Sequence, residues 1–533
     1  MNMKQFFFVS LVGVAFAACS KDAAHENSSF IEGERFMAVK LVMSGDVAST
    51  RAFGSAGFEA GTEAEVGVTK ATFLFFDGEH QVADPFTTGT LDPWNNETAG
   101  SVDKVSSPVI VLSNAIKNPT SIVAILNPTQ EVTNALTRNT TLTQLKAIHH
   151  DYSKDITVKN FVMSNSVYVK DGKLVIGTPC TPDNIKKTQD EAKQNPVKIA
   201  VEKVVAKVKV SQAEDMKVET NPTAHNKQVN VDGASKEINA EITGWWLDNT
   251  NPTSYLIKKV ETTYGTSIGD TWWNDAANRR SYWATPITTQ SFTHYAYNTA
   301  KALTEDRYCL ENTNQDSPTQ IVVAATLKTA GQAKTLVKYL GTLYTEDGFN
   351  EELAKQLGNK YYKQSGGTDT YIKLTKDDLT FTYDVSAKEG KKAYEAKVTI
   401  ALKNGMNVFT SVDGTTYQGA DTEITTDLTN LTRTVQYWKD GKTYYYLPIV
   451  HNEDITITPS TAAAKHKLYG VIRNHLYKLS IKSINGLGTP VPNPDDPKNP
   501  IIPEKPEDDH SYIAAQIEIL KYKVVNQHVD LGL

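Results

Sequence analysis

The chain has 533 residues, enough for roughly three domains of about 100 to 200 residues each, so a large buried core is available. Lys plus Arg number 55 and Asp plus Glu 61, a net charge of −6, which argues against nonspecific attraction to nucleic acid or anionic lipid. A hydrophobic share of 40% is too high for a disordered chain and too low for a multi-span membrane protein. Abundant Thr, Val and Ile with 24 Tyr favour sheet, because branched and aromatic side chains suit a pleated, half-buried surface. The fold class read from composition is mostly β.

At the N-terminus, Lys4 precedes an apolar run from Phe6 to Phe16 and the small pair Ala17-Ala18 before Cys19. This reads as a secretory signal peptide, too short for a stable membrane span. The placement of Cys19 resembles a bacterial lipobox, in which a signal peptidase cuts before a diacylated cysteine, although Phe16 stands where Leu is usual. Any membrane attachment is then through the precursor's lipid. Cys180 and Cys309 are the other cysteines; they permit one disulfide, and their spacing leaves pairing open.

Met37, Val39, Leu41 and Met43 alternate along the next apolar segment, as in a half-buried strand. A loop of small residues follows, Ser44 to Gly54, of the kind proteases enter. Arg51 stands in it, followed by Ala52. Arg35 and Arg51 are the only arginines before Arg138, and of these two only a cut at Arg51 separates the first strand from everything downstream.

Short apolar runs bounded by Gly, Asn and Pro then predict buried strands around residues 66–77, 108–112 and 121–127. The long alternating segment Val197 to Val210 is expected to cross a sheet and close the first domain. A second β-rich block runs from 216 to 488, with a short helix expected over Asn350–Leu357. Its last strand, His475–Lys482, places Tyr477, Leu479 and Ile481 on the core side.

Residues 489–510 hold seven of the 21 prolines, an extended, stiff composition that could reach on the order of 60 to 70 Å. The linker leads into the strongly β-forming segment 512–525, in which Ala515, Ile517 and Ile519 alternate and Leu520, Tyr522 and Val524 continue one residue out of phase. A strand on a long arm presents unpaired amides and one apolar face, so it needs a sheet to join. A removable first strand and a far-reaching last strand suggest strand addition between subunits. Burying five side chains gives a gross gain of roughly 7 to 15 kcal/mol before ordering costs. Donor and acceptor surfaces differ, so the contact runs head to tail and builds a filament of identical subunits.

Cys19-Ser20-Lys21-Asp22, the Arg51 loop, Val201 to Lys207 and Ile472 to Gly488 resemble the fimbrillins of Bacteroidales bacteria. The proline linker and Ile517 to Val524 with Val529-Asp530-Leu531 are similar, more narrowly, to the major subunit of the minor (Mfa-type) fimbria. The resemblance implies two tandem transthyretin-like β-sandwich domains and export as a lipoprotein. It also implies cleavage after an arginine by a trypsin-like protease, a gingipain in the oral species, and polymerisation by strand exchange. Expected partners are identical subunits, anchor and tip fimbrial subunits, the maturation protease, and host or bacterial surface ligands, with roles in adhesion and biofilm. A chain carrying both the cleavable strand and the terminal donor resembles a shaft subunit. The expected division is a signal peptide 1–18, a lipidated propeptide 19–51, sandwiches 52–215 and 216–488, a linker 489–510 and a donor strand 511–533.

No zincin pair, P-loop, dinucleotide-binding glycine run, nucleophile elbow or EF-hand loop is present in the sequence, so no enzymatic activity and no cofactor are expected. His149-His150 lie adjacent, on opposite faces of any strand, with no carboxylate or Cys cluster beside them. Trp245-Trp246 and Trp272-Trp273 could stack on sugars, which gives the second reading: a monomeric surface lipoprotein that binds glycans and folds its terminal strand onto its own sheet.

Overall fold

A computed structural model describes residues 35–43, 59–89, 95–96, 104–112, 117–151, 160–170, 173–260, 284–285, 292–367, 370–386, 393–451, 469–498, 512–519 and 526–528. Cys19, Arg51, Ala52, Trp272, Trp273, Leu520, Tyr522 and Val524 lie outside the described residues.

The N-terminal unit is built from β1 (Phe36–Met43), α1 (Glu63–Val66), β2 (Ala71–Asp77), β3 (Lys104–Ser106), β4 (Val109–Val111), β5 (Ser121–Leu126), β6 (Met163–Asn165), β7 (Ile185–Lys186), α2 (Gln189–Gln194) and β8 (Val197–Lys203). Across its main sheet the order is β2-β5-β6-β8-β1-β3, with β4 and β7 also paired to β1. The continuous apolar runs of β2 and β5 mark strands covered on both faces. Phe73, Phe75, Ile122 and Ala124 face one core with Met37, Val39 and Leu41. Leu74, Phe76, Val123 and Ile125 face a second core, shared with Leu256, Ile257, Leu310 and Ile472 of the following unit.

The segment expected to be one strand from Val197 to Val210 is divided at Val204. Up to Lys203 it belongs to the first sheet; β9 (Val205–Glu219) belongs to the next. The change of sheet therefore falls ahead of the boundary expected at 215. The apolar positions shift phase at the switch, from 197, 199 and 201 to 204, 206, 208 and 210, a break that also fits a bulge within one strand.

The C-terminal unit adds β10 (Ala234–Asp248), β11 (Arg307–Leu310), β12 (Gln320–Thr329), β13 (Lys442–Pro448), β14 (Leu476–Asn485) and β15 (Tyr512–Ile519). One sheet runs β11-β9-β14-β15, and the other contains β10-β12-β13. Val208 and Val210 from β9 and Tyr477, Leu479 and Ile481 from β14 pack in one core with Trp245, Val323 and Tyr445 of the opposing sheet. Two sheets closed on a shared apolar layer make this unit a sandwich. The molecule is mostly β.

Between β12 and β13 sits an insert carrying α3 (Glu346–Gln356) and α4 (Asp421–Asn430) around their own core, with Phe349, Leu353, Ile424 and Leu428 buried. The helix expected over 350–357 begins one turn earlier, where the Thr345 hydroxyl caps Gly348 N–H at 3.0 Å. A four-stranded sheet in the insert brings one aromatic from each strand together. Tyr371 and Tyr417 stack at 4.1 Å across it, and Tyr362 and Phe409 meet them edge-on at 5.0 Å.

A polar clamp holds the two units together. Arg473, 1% exposed, donates to Glu311 (3.1 Å), Leu256 O (3.0 Å), Ser254 Oγ (3.0 Å) and Tyr255 O (2.6 Å). The segment it grips, Thr253–Tyr255, pairs antiparallel with His149–Asp151 of the N-terminal unit. Ser164 Oγ donates to Leu256 O at 2.7 Å from the same side. His149 packs edge-on against Tyr255 at 4.6 Å, a packing role for one of the paired histidines.

Cys180 and Cys309 are free thiols, buried in the separate cores of the two units. Burial pushes both thiols up to about 12, so neither is a thiolate at neutral pH. Both should stay unreactive toward a maleimide in folded protein and label together on denaturation, which a mass shift would report. Replacing Arg473 with Ala should destabilise the protein by roughly 3 to 5 kcal/mol in chemical denaturation, because it strands the Glu311 carboxylate in the interior.

Candidate functional site

The site is the place that β1 occupies, together with the strand at the opposite end of the chain. β1 is paired along both edges. On one side β4 matches Phe36 to Val111, Met37 to Ile110 and Ala38 to Val109, and β3 continues with Leu41 opposite Ser106. On the other, β7 faces Phe36 and Met37, after which β8 runs parallel, from Val39 opposite Val197 to Met43 opposite Val201. Pro108 O accepts from Val39 N–H at 3.0 Å and bridges the step between β4 and β3. Met37, Val39 and Leu41 are each 0% exposed. A strand expected to be half-buried is thus interior on both edges.

The second face of β1 is closed as well. Ala38 is also 0% exposed, yet alternation turns it away from the core that holds Met37 and Val39. α2 packs against β1 and its flanking strands β4 and β7, and its inward residue is Ala192, likewise 0% exposed and outside that core. Two fully buried alanines, one on each element, suit a close approach of helix to strand. Thr188 fixes the start of this short helix, its hydroxyl accepting from Glu191 N–H at 3.3 Å.

Downstream of the Arg51 loop, the chain is tied down at once. Glu59 accepts from Lys209 (2.9 Å) and Lys478 (2.6 Å), linking the segment that leads into α1 to β9 and β14. Glu65, 0% exposed, meets Lys207 at 2.7 Å and the Tyr308 hydroxyl at 2.5 Å, while Asp306 lies 2.9 Å from Lys207. Burial works to raise the Glu65 carboxyl, but the hydrogen bonds from Lys207 and Tyr308 and the Thr62 amide outweigh it and hold the group below its ordinary 4.5. Glu59 is lowered in the same way, with Lys478 and Lys209 prevailing over desolvation. Thr62-Glu63-Ala64-Glu65 has the pattern of a helix capping box, which places Glu65 at the head of α1, but the lysine partners of Glu59 and Glu65 lie in distant strands and leave no sequence motif.

At the other end, β15 pairs antiparallel with β14, from Tyr512 opposite Asn485 to Ile517 opposite Leu479 and Ile519 opposite Tyr477. Its outer edge meets the short strand Asn526–His528. In the single chain the terminal strand therefore extends its own sheet, the placement expected by the second reading of the sequence. The linker is shorter than expected, since Thr489-Pro490 pairs with Thr443-Tyr444 and Val491 is buried. Trp245 and Trp246 are 0% and 1% exposed, and Trp246 packs edge-on with Tyr297 at 5.9 Å, so this pair is core and offers no face to a sugar.

Both Glu59 and Glu65 have lowered values, so their contribution to stability is present above about pH 4.5 and is lost as pH falls through the folded-state values. Glu65→Gln should cost roughly 2 to 4 kcal/mol at pH 7, and the difference from the parent protein should shrink as the pH of a urea titration is lowered from 5 toward 3.

Comparison with known proteins adds the following. No curated protein matches the chain. Among solved structures, similarity is found to a fimbrilin (fimA) from Porphyromonas gingivalis W83, at 14% identity over 90% of this chain and 96% of that one, TM-score 0.35. The tip fimbrial protein Mfa3 from Porphyromonas gingivalis, with C-terminal truncation, is similar at 10% identity over 91% and 99%, TM-score 0.31. A fimbrial assembly protein from Parabacteroides distasonis ATCC 8503 is similar at 11% identity over 70% and 98%, TM-score 0.30. The informative match is in the C-terminal part: residues 436–528, which hold β13, β14, the linker and β15, are similar to the family described as major fimbrial subunit protein type IV, fimbrillin, C-terminal.

Proposed function

We propose that this protein is a structural subunit of a cell-surface fimbria. It is exported as a lipoprotein acylated at Cys19, cut between Arg51 and Ala52, and polymerised when residues 511–533 of one copy replace the first strand of the next. Adhesion and biofilm formation are the proposed roles of the resulting fibre, which joins anchor and tip subunits at its ends. Supporting this reading, residues 436–528 are similar to a fimbrillin C-terminal region, and that stretch contains the proposed donor.

The single observation that carries the mechanism is the interior position of β1 at the head of the chain. Eight residues sit in the middle of a sheet, paired on both edges. Removing them leaves unpaired amides and an apolar furrow that a strand of suitable pattern fills. The glycan-binding alternative keeps one supporting observation, the return of β15 to its own sheet. The two readings differ in energetics: β15 lies toward the edge of its sheet, whereas the β1 position is closed on both edges and both faces.

Trypsin treatment of purified protein should give ladders that resist warm detergent, and Arg51→Ala should abolish them. Clipped protein that stays monomeric would support the alternative. Deletion of residues 511–533 should stop elongation while leaving the melting transition of the uncut chain nearly unchanged. Cys19→Ser should remove lipid labelling and reduce surface delivery.

A further inference from the structure

β1 and β15 are each eight residues long, Phe-Met-Ala-Val-Lys-Leu-Val-Met and Tyr-Ile-Ala-Ala-Gln-Ile-Glu-Ile. Laid side by side in the same direction, the two sequences agree in character at every position but one, where Glu518 falls at Val42. Ile513, Ala515, Ile517 and Ile519 fall where Met37, Val39, Leu41 and Met43 stand, and Gln516 falls at Lys40. Ala514 falls at Ala38, the position closed by α2.

Other registers fail at that closed position. Sliding the incoming strand two residues one way brings Gln516 under α2, and two residues the other way brings Tyr512. A slide of one residue sends the apolar set to the wrong face and puts Gln516 or Ala514 in the place of Val39. A reversed strand brings Glu518 or Gln516 to the Ala38 position, or, if it keeps Ala514 there, sets Ser511 where Leu41 was. A buried carboxylate or amide without partners, or a phenol ring forced against a helix, is unfavourable in each case.

We propose that residues 512–519 of a second copy enter the β1 position in the same direction and in full register, parallel to β8, and that α2 selects this register by admitting only a small side chain at position 514. This rests on the strand-exchange reading and specifies its geometry. It also divides the adjacent alanines into different roles: Ala514 meets the Ala192 wall, whereas Ala515 takes the larger space of Val39.

The test uses full-length precursor activated with trypsin, with elongation followed by light scattering and detergent-resistant ladders. Ala514→Val should slow elongation about tenfold or more, as one overpacked contact commonly does. Ala515→Val should elongate as fast as the parent or faster, since it restores the volume Val39 filled. Melting curves of the uncut variants confirm that each is folded before activation. Equal slowing by the two variants, or slowing by Ala515→Val alone, overturns the register. The 511–533 deletion separates the two levels: if it still abolishes elongation, strand exchange stands without this register, and if it elongates normally, strand exchange itself is overturned.

Discussion

Everything in the N-terminal unit is organised around a strand that supplies hydrogen bonds to both neighbours and apolar side chains to the core beneath. β1 stands between β8 and the β3–β4 stretch, with Met37, Val39 and Leu41 fully buried. Such a strand cannot be lost without replacement, because the sheet would be split and its inner amides left without partners in an apolar groove. A strand this central is ordinarily fixed by the rest of the chain on both sides. Its link to everything downstream runs through the segment that carries Arg51, so the proposed cut there would disconnect it covalently from the rest of the sheet.

What remains would have to hold its shape while that position is refilled. Two features meet this requirement. Glu59 and Glu65 fasten α1 and the segment that leads into it to Lys207, Lys209 and Lys478 on β9 and β14. The Arg473 clamp, with the apolar layer of Leu256, Ile257, Leu310 and Ile472 beside it, locks the N-terminal sheet onto the C-terminal sandwich. A desolvated, fully hydrogen-bonded guanidinium is a costly group to bury, and it is better matched to fixing geometry than to adding stability. The two units are thus joined by buried polar and apolar contacts.

The terminal strand sits in its own sheet in the single chain, paired to β14. This covers the edge of β14 in the single chain. The proposed exchange would move the terminal strand from a place toward the rim of one sheet to an interior place in another, paired on both edges and facing the core that holds Met37, Val39 and Leu41. Its driving force would be the added burial, less the ordering of the linker.

Much of this was legible in the sequence, for local reasons. Strict alternation in Met37–Met43 and Ala515–Ile519 depends on residue order alone, and it outlined the two strands. The run 121–127 reads as a buried strand because a short, uninterrupted apolar stretch between turn residues is costly to leave in water on either face. Periodicity did not show that the first strand is interior, since pairing partners on both edges come from residues 105–111 and 185–201. The sheet switch at Val204 did leave a trace, since the apolar positions change from 197, 199 and 201 to 204, 206, 208 and 210, but a one-residue phase shift can equally mark a bulge within one strand. Nor could periodicity assign Trp245-Trp246 to the core, bring Glu65 to Lys207, or place α2 over Ala38. Those facts are set by which distant strands pack together, and a burial pattern along one strand carries no information about the identity of its neighbours. The order of residues determined the two strands near the ends of the chain; tertiary packing alone decided that the first lies in the interior of a sheet, because its partners on both edges come from distant segments.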